Sequence, residues 1–128
     1  MVKNYASIEI HSKELLKNKY PQKMLLLSII KELKQLGLDC SKIHIGTGTF
    51  GTICNVGDSK VLIEVYIVVE RTESFGRSII TCTNFFPWWK RFFSSQKKLH
   101  LGKDLQYVCE QVDNILSSDP RIHNIKWD

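Results

Sequence analysis

The stretch Lys60-Val-Leu-Ile-Glu-Val-Tyr-Ile-Val-Val-Glu-Arg71 limits what this chain can become more than any other. Between Val61 and Val69 it is dense in β-branched residues, and Glu64 is its only charge. Such side chains are stiff at χ1, crowd a helix and fit a pleated surface. A run apolar in both phases is expected of a central strand, covered on both faces or along most of its length. A central strand needs neighbours, and the flanking sequence supplies them. "KIHI" and "TIC" lie upstream and "RSIITCTNFF" downstream, separated by the turn clusters "NVGDS" and "TESFG". The N-terminal "YASIEIH" adds a short strand with Ile8 and Ile10 on one face.

Two helices bracket this β region. Ser12 is placed to cap a short helix from Lys13, and Pro21 suits the first turn of the next. From Gln22 to Leu36, the residues Leu26, Ile29, Ile30, Leu33 and Leu36 recur at helical spacing, and Gly37 follows as a C-cap. From about Lys103 to Ser118, a second stripe is formed by Leu105, Val108, Cys109, Val112, Ile115 and Leu116, and Asp119-Pro120 ends it. Ile122, Ile125 and Trp127 then anchor the C-terminus as a final short strand. The expected architecture is α+β. It is a two-layer sandwich in one domain spanning 1–128, with an antiparallel sheet of about four to five strands and two main helices packed on one face. With 43% hydrophobic residues, a chain of 128 residues builds one core without staples.

"IGTGTFGTI" places Gly46, Gly48 and Gly51 at the G-x-G-x-x-G spacing. A dinucleotide-binding loop must open a helix, and here the turn cluster from Asn55 to Ser59 follows too soon. A kinase glycine loop suits the hairpin context, but the next strand carries Glu64 where a phosphate-holding lysine belongs, and no H-R-D or D-F-G follows. The glycines therefore read as a tight, uncrowded β-hairpin, and no cofactor is expected.

Catalytic and metal residues are equally unsupported. His11, His44, His100 and His123 lie in separate segments, and Cys40, Cys54, Cys82 and Cys109 are singly spaced with no C-x-x-C. They read as small buried side chains, and nothing in their spacing asks for a disulfide. One spatial pairing is worth testing, because Cys54 and His44 fall on the two arms of the hairpin; strand neighbours of this kind are usually packing partners. Glu9, Glu64 and Glu70 read as strand carboxylates facing water or lysine. No export signal opens the chain, and Met24–Ile30 is too short to cross a bilayer, so a cytoplasmic location is expected. The formal charge of +5, from 18 Lys+Arg against 13 Asp+Glu, admits nucleic acid, an acidic protein or an anionic surface as partner.

The unusual segment is "NFFPWWKRFFSSQKK", with six aromatics between Phe85 and Phe93 and no acid before Asp104. Trp88, Trp89, Lys90, Arg91, Lys97 and Lys98 are the candidate partner-binding residues. Three uses compete. The rings close the end of the core, they anchor a protein partner as Trp and Arg do at interface hot spots, or they stack on single-stranded bases while the cations meet phosphates. Shallow membrane insertion is the weakest use, because the segment is short and begins at Pro87.

The C-terminal "DLQYVCEQVDNILSSDPRIHNIKWD" resembles the ending of small bacterial immunity proteins paired with contact-dependent growth-inhibition toxins. In these a helix runs into a D-P turn and a short I-x-W strand. The resemblance covers roughly the last 25 residues and the general layout. It implies a non-enzymatic protein that neutralises a cognate toxin domain in a tight cytosolic complex. Inhibitors of basic nucleases are commonly acidic, so a basic chain implies an acidic toxin face or binding through a local patch. The alternative is a single-stranded nucleic-acid-binding accessory domain.

Overall fold

The computed structural model describes residues 3–85 and 102–128. Strand β1 (Tyr5–Ile10) buries Ala6, Ile8 and Ile10 and leaves Ser7 and Glu9 half-covered, as its alternation asks. The Ser12 Oγ accepts from Leu15 N at 3.1 Å and starts α1 (Lys13–Leu16). Helix α2 (Pro21–Gln35) has its proline in the first turn and buries Leu25, Leu26, Ile29, Ile30 and Leu33. Leu36, expected on that stripe, is half-exposed at the C-cap, because the helix has already ended there. Gly37 N donates to Lys34 O and Leu38 N to Leu33 O, the paired bonds of a Schellman ending.

Then come β2 (Asp39–Cys40), β3 (His44–Gly46), β4 (Thr49–Val56), β5 (Ser59–Tyr66) and β6 (Gly76–Asn84). Helix α3 (Lys103–Ser117) and β7 (Ile122–Trp127) complete the described chain. The sheet is antiparallel in the order β2-β4-β5-β6-β1-β7, with β3 also paired to β4. The N-terminal strand thus lies between β6 and β7, and backbone bonds between Asn4 or Tyr5 and Asp128 tie the two ends of the described chain together.

The α+β class and the antiparallel sheet agree with the sequence. The strand count does not, because the sheet has seven strands. The arm expected at "KIHI" is β3, and a further strand, β2, lies upstream of it where the sequence suggests none. A two-residue strand such as Asp39–Cys40 is too short to show any period. The C-terminal "IHNIKW" forms a full edge strand, and Trp127 Nε1 donates to Asp113 Oδ1 of α3 at 2.8 Å.

One face of the sheet carries the core. Ile8, Ile10, Val61, Ile63, Val65, Ile80, Cys54 and Cys82 meet the apolar stripes of the helices there. Helix α2 lies against β2, β4 and β5, α3 lies against β5, β6 and β7, and the two helices touch. The β5 run corrects the sequence expectation: it is central, but described elements cover it on one face only. Val61, Ile63 and Val65 are buried, and Leu62, Glu64 and Tyr66 point to the other side. The strand stops at Tyr66, so Ile67 and Val69 stand 56% and 53% exposed. Among the described residues, no helix is long and apolar enough to cross a membrane.

Candidate interaction face

Strand register assembles the side of the sheet away from the helices. One row runs Gly51, Glu64, Thr81 and Tyr5; the next contains Ile79, Ser7 and Lys126; a third contains Arg77, Glu9 and His123. Along this side Tyr5 and Tyr66 are 39% and 37% exposed, and Ile67 and Val69 stand out beside them. A hollow of about 610 Å³ opens here, lined by Ser7, Glu9, Tyr66, Ile67, Val69, Arg77, Ile79, Asn124 and Lys126 among others.

The rim of this hollow is fixed from behind. Val69 and Arg77 exchange backbone bonds of 2.8 and 2.9 Å, and Ile67 N donates to Gly48 O at 2.8 Å. The Arg71 guanidinium donates to Leu16 O and, at 2.7 Å, to Asn18 O, which pins the loop after β5 to the end of α1. Ile67 and Val69 therefore sit on anchored backbone while their side chains face water.

The charges of the face are largely matched. Glu9 Oε1 accepts from His11 Nε2 at 3.1 Å and from Asn124 Nδ2 at 2.8 Å, and Arg77 lies 3.8 Å from Glu9 Oε2 and 3.3 Å from Glu70 Oε2. The hydrogen bond from His11, then that from Asn124, hold the Glu9 carboxyl below its ordinary range, and the charge of Arg77 adds to them. The His11 ring lies 4.4 Å from that of His123, tilted by 40°, and meets the Phe75 ring edge-on at 5.3 Å. Lys126 makes no ion pair among the described residues. The charged side chains that line the hollow, Glu9, Arg77 and Lys126, sum to +1, and Glu70 beside Arg77 offsets that excess.

The glycine motif is a hairpin, as its sequence context predicts. Gly46 pairs with Thr49, and Gly48, the second of the two loop residues, takes φ +70°. Gly51 serves close approach, since a Cβ there would lie 2.8 Å from His44 Nε2 and 3.3 Å from Glu64 Cγ. Glu64 Oε2 accepts from the Thr49 hydroxyl at 3.2 Å, so the acid that replaces a phosphate-holding lysine is part of the hairpin's own bonding.

The Cys54–His44 pairing is not assembled. His44 lies opposite Gly51 and is exposed, whereas Cys54 points into the core and lies opposite Cys40. The hairpin offset sends the two side chains to opposite sides of the sheet. The cysteines pair with one another instead. The Cys40 and Cys54 thiols are hydrogen-bonded at 3.8 Å, and Cys82 on β6 and Cys109 on α3 lie close enough to shift each other's thiol, Cys82 up and Cys109 down. Among the described residues, no group of three or more His, Cys, Asp or Glu side chains is arranged to hold a metal ion.

Trp88, Trp89, Lys90, Arg91, Lys97 and Lys98 lie outside the described residues. The residues flanking that segment are described and meet at the β4–β5 turn. Phe85 N donates to Lys60 O at 2.7 Å, Gly102 approaches Asn84, and Ser59 Oγ donates to Asp104 Oδ2 at 2.7 Å. A second hollow of about 560 Å³ lies between α2 and α3, lined by Ser28, Lys31, Gln35, Gln111, Asn114 and Arg121 among others. The Asp119–Arg121 ion pair, 2.7 Å, closes one end of it.

Sequence reasoning missed Tyr66, Ile67, Val69 and Lys126 as surface residues. The first three are buried in appearance by the apolar run; the phase of Glu64 marks Tyr66 as outward, whereas Ile67 and Val69 fall in the opposite phase and are exposed because the strand ends at Tyr66. No protein-family model matches the sequence, and no curated protein or solved structure matches it significantly.

Proposed function

We propose that this chain is a non-enzymatic binding protein of the immunity type, neutralising a cognate bacterial toxin domain by a tight complex in the cytoplasm. The observation that carries this reading is the hollow on the open side of the sheet. Exposed Tyr66, Ile67 and Val69 sit there on anchored backbone, beside a matched Glu9–Arg77 pair and the unmatched Lys126. Rigid apolar side chains supply buried area at small entropic cost on binding. The net positive charge favours an acidic partner surface and speeds its encounter. That sign agrees with the acidic toxin face that the resemblance implies for a basic inhibitor. The rings and cations of Trp88, Trp89, Lys90, Arg91, Lys97 and Lys98 are of the same chemical kind.

The test is calorimetric titration with the C-terminal domain of a large secreted protein encoded in the neighbouring reading frame, with toxicity relieved in cells that co-express both. Ile67→Asp is expected to weaken the complex at least tenfold without lowering Tm. Lys126→Glu and the Lys90→Glu/Arg91→Glu pair are expected to slow association and flatten its salt dependence. No complex at micromolar concentrations removes the immunity reading. A complex indifferent to Ile67→Asp and Lys126→Glu removes the proposed face.

The second reading, a single-stranded nucleic-acid-binding accessory domain, is favoured by Tyr5 and Tyr66 standing on the same open sheet side as Lys126 and Arg77. A mixed-sequence oligonucleotide titrated at two salt concentrations decides it. Quenching of aromatic fluorescence, with affinity that falls as salt rises, supports it, and no quenching at low salt eliminates it.

A further inference from the structure

Cys40 and Cys54 face each other across the sheet edge. They are direct partners in the β2–β4 ladder, and their sulfurs are 3.8 Å apart. The neighbouring pair, Ser41 and Ile53, carries the backbone bond, Ser41 N to Ile53 O at 2.8 Å. Cys40 and Cys54 therefore occupy the non-hydrogen-bonded kind of position, where opposed Cα atoms approach to about 4.5 Å. That separation lies within the range a disulfide spans, about 4.4–6.8 Å. The other thiol pair is placed differently, since Cys82 is fully buried on the interior strand β6 and its partner comes from a helix.

We propose that Cys40 and Cys54 are a redox pair, oxidised by a small-molecule disulfide such as glutathione disulfide to a cross-strand link that closes the chain around the glycine hairpin. Cys40 is the entry point. It is 7% exposed on a two-residue edge strand, whereas Cys54 is fully covered on β4. Edge strands this short open locally at low cost. The hydrogen bond from Cys54 also lowers the Cys40 thiol, with a smaller contribution from Lys34.

The chemistry balances. The Cys40 thiolate attacks one sulfur of glutathione disulfide, the S–S bond breaks, and one glutathione thiolate leaves and takes up a proton. Cys54, releasing its proton to solvent, then attacks Cys40 Sγ and expels the second glutathione, which is protonated in turn. Two electrons pass from the protein thiols to the glutathione disulfide, giving one intramolecular disulfide and two glutathione molecules. The loop so closed holds His44, Gly46, Gly48 and Gly51, so oxidation stiffens the hairpin that borders the open side of the sheet.

The experiment uses the full-length, fully reduced chain, equilibrated with graded glutathione disulfide, alkylated with a maleimide and mapped by peptide mass spectrometry. The expected product has lost the mass of two hydrogens, protects two thiols from alkylation and yields a linked peptide containing Cys40 and Cys54. Its Tm rises by roughly 11 °C, as expected for closing a loop of about 15 residues. Cys54→Ser is expected to stop at one glutathione moiety on Cys40, and Cys82→Ser to leave the link intact. The map of the unsubstituted chain decides the matter even where a variant fails to fold. Four free thiols at saturating glutathione disulfide, or a link that joins other cysteines, overturns the proposal.

Discussion

Ile63 and Ile67 belong to one apolar run, yet the fold assigns them opposite environments: Ile63 is completely buried against the helices, and Ile67 is 56% exposed. Replacing each by alanine separates the two. Ile63→Ala deletes about three carbons from a sealed site. Transfer alone costs about 0.8 kcal/mol per carbon, and the cavity left behind brings the total to about 3–4 kcal/mol. Unfolding entropy of about 2.1 cal/mol/K per residue gives this chain roughly 0.27 kcal/mol/K. The expected fall in Tm for Ile63→Ala is therefore roughly 11–15 °C by calorimetry. Ile67→Ala removes side-chain atoms that mostly face water, and its cost stays below about 0.5 kcal/mol, or roughly 2 °C. Comparable losses from the two variants would mean that the run is covered on both sides. The hollow would then be an interior feature, and the proposed interaction face would fall with it.

Three further outcomes are expected. Ser12→Ala, which removes the acceptor for Leu15 N, should cost about 1 kcal/mol in denaturant unfolding at unchanged m-value. Trp127→Phe removes the indole donor to Asp113 while keeping most of the ring, and should cost about 1 kcal/mol; a neutral result would place that bond outside the stability of the α3–β7 contact. Burial raises the Asp119 carboxyl, but side-chain bonds, the backbone N–H and the charge of Arg121 outweigh it and hold the group below its ordinary value. A carboxyl lowered in the folded state stabilises fully above the unfolded pKa of about 3.9, and its contribution disappears as pH falls through the lower folded value. Urea midpoints measured from pH 6 to pH 2 should therefore decline below about pH 4, and Asp119→Asn should flatten that decline.

The elements with a strong local code were legible. The Ser12 cap, Pro21, the α2 stripe, the Gly37 ending, the α3 stripe and the Asp119-Pro120 stop each have a short-range physical cause, and each lies where the pattern puts it. What stayed hidden depends on long-range pairing. Asp39 and Cys40 carry no strand period, and they become β2 only because β4 offers Cys54 and Asn55 as partners. In β5, Leu62 and Tyr66 are as apolar as Val61 and Val65, so alternation is erased and the side that faces out is set by which face the helices occupy. The thiol pairs are invisible for the same reason, since Cys40 and Cys54 are brought together by ladder register rather than by spacing.

This one-sided cover bears directly on what the open side can bind. A sheet face meant only for water needs charge and small polar groups, and the rows through Thr81, Ser7 and Glu9 supply them. Ile67, Val69, Tyr5 and Tyr66 interrupt that pattern, and large apolar side chains gathered on one surface mark interaction sites. Their supports are specific: Arg71 reaches back to α1, and Val69 pairs with Arg77, so the apolar tips are held out from the sheet instead of folding onto it. Glu9 and Glu70 share Arg77, and Lys126 is the cation of this hollow that makes no ion pair among the described residues. An acidic surface with an apolar centre satisfies both demands at once. A polyanion without apolar area satisfies only the second, and this contrast supports the proposed folded protein partner over a nucleic-acid backbone.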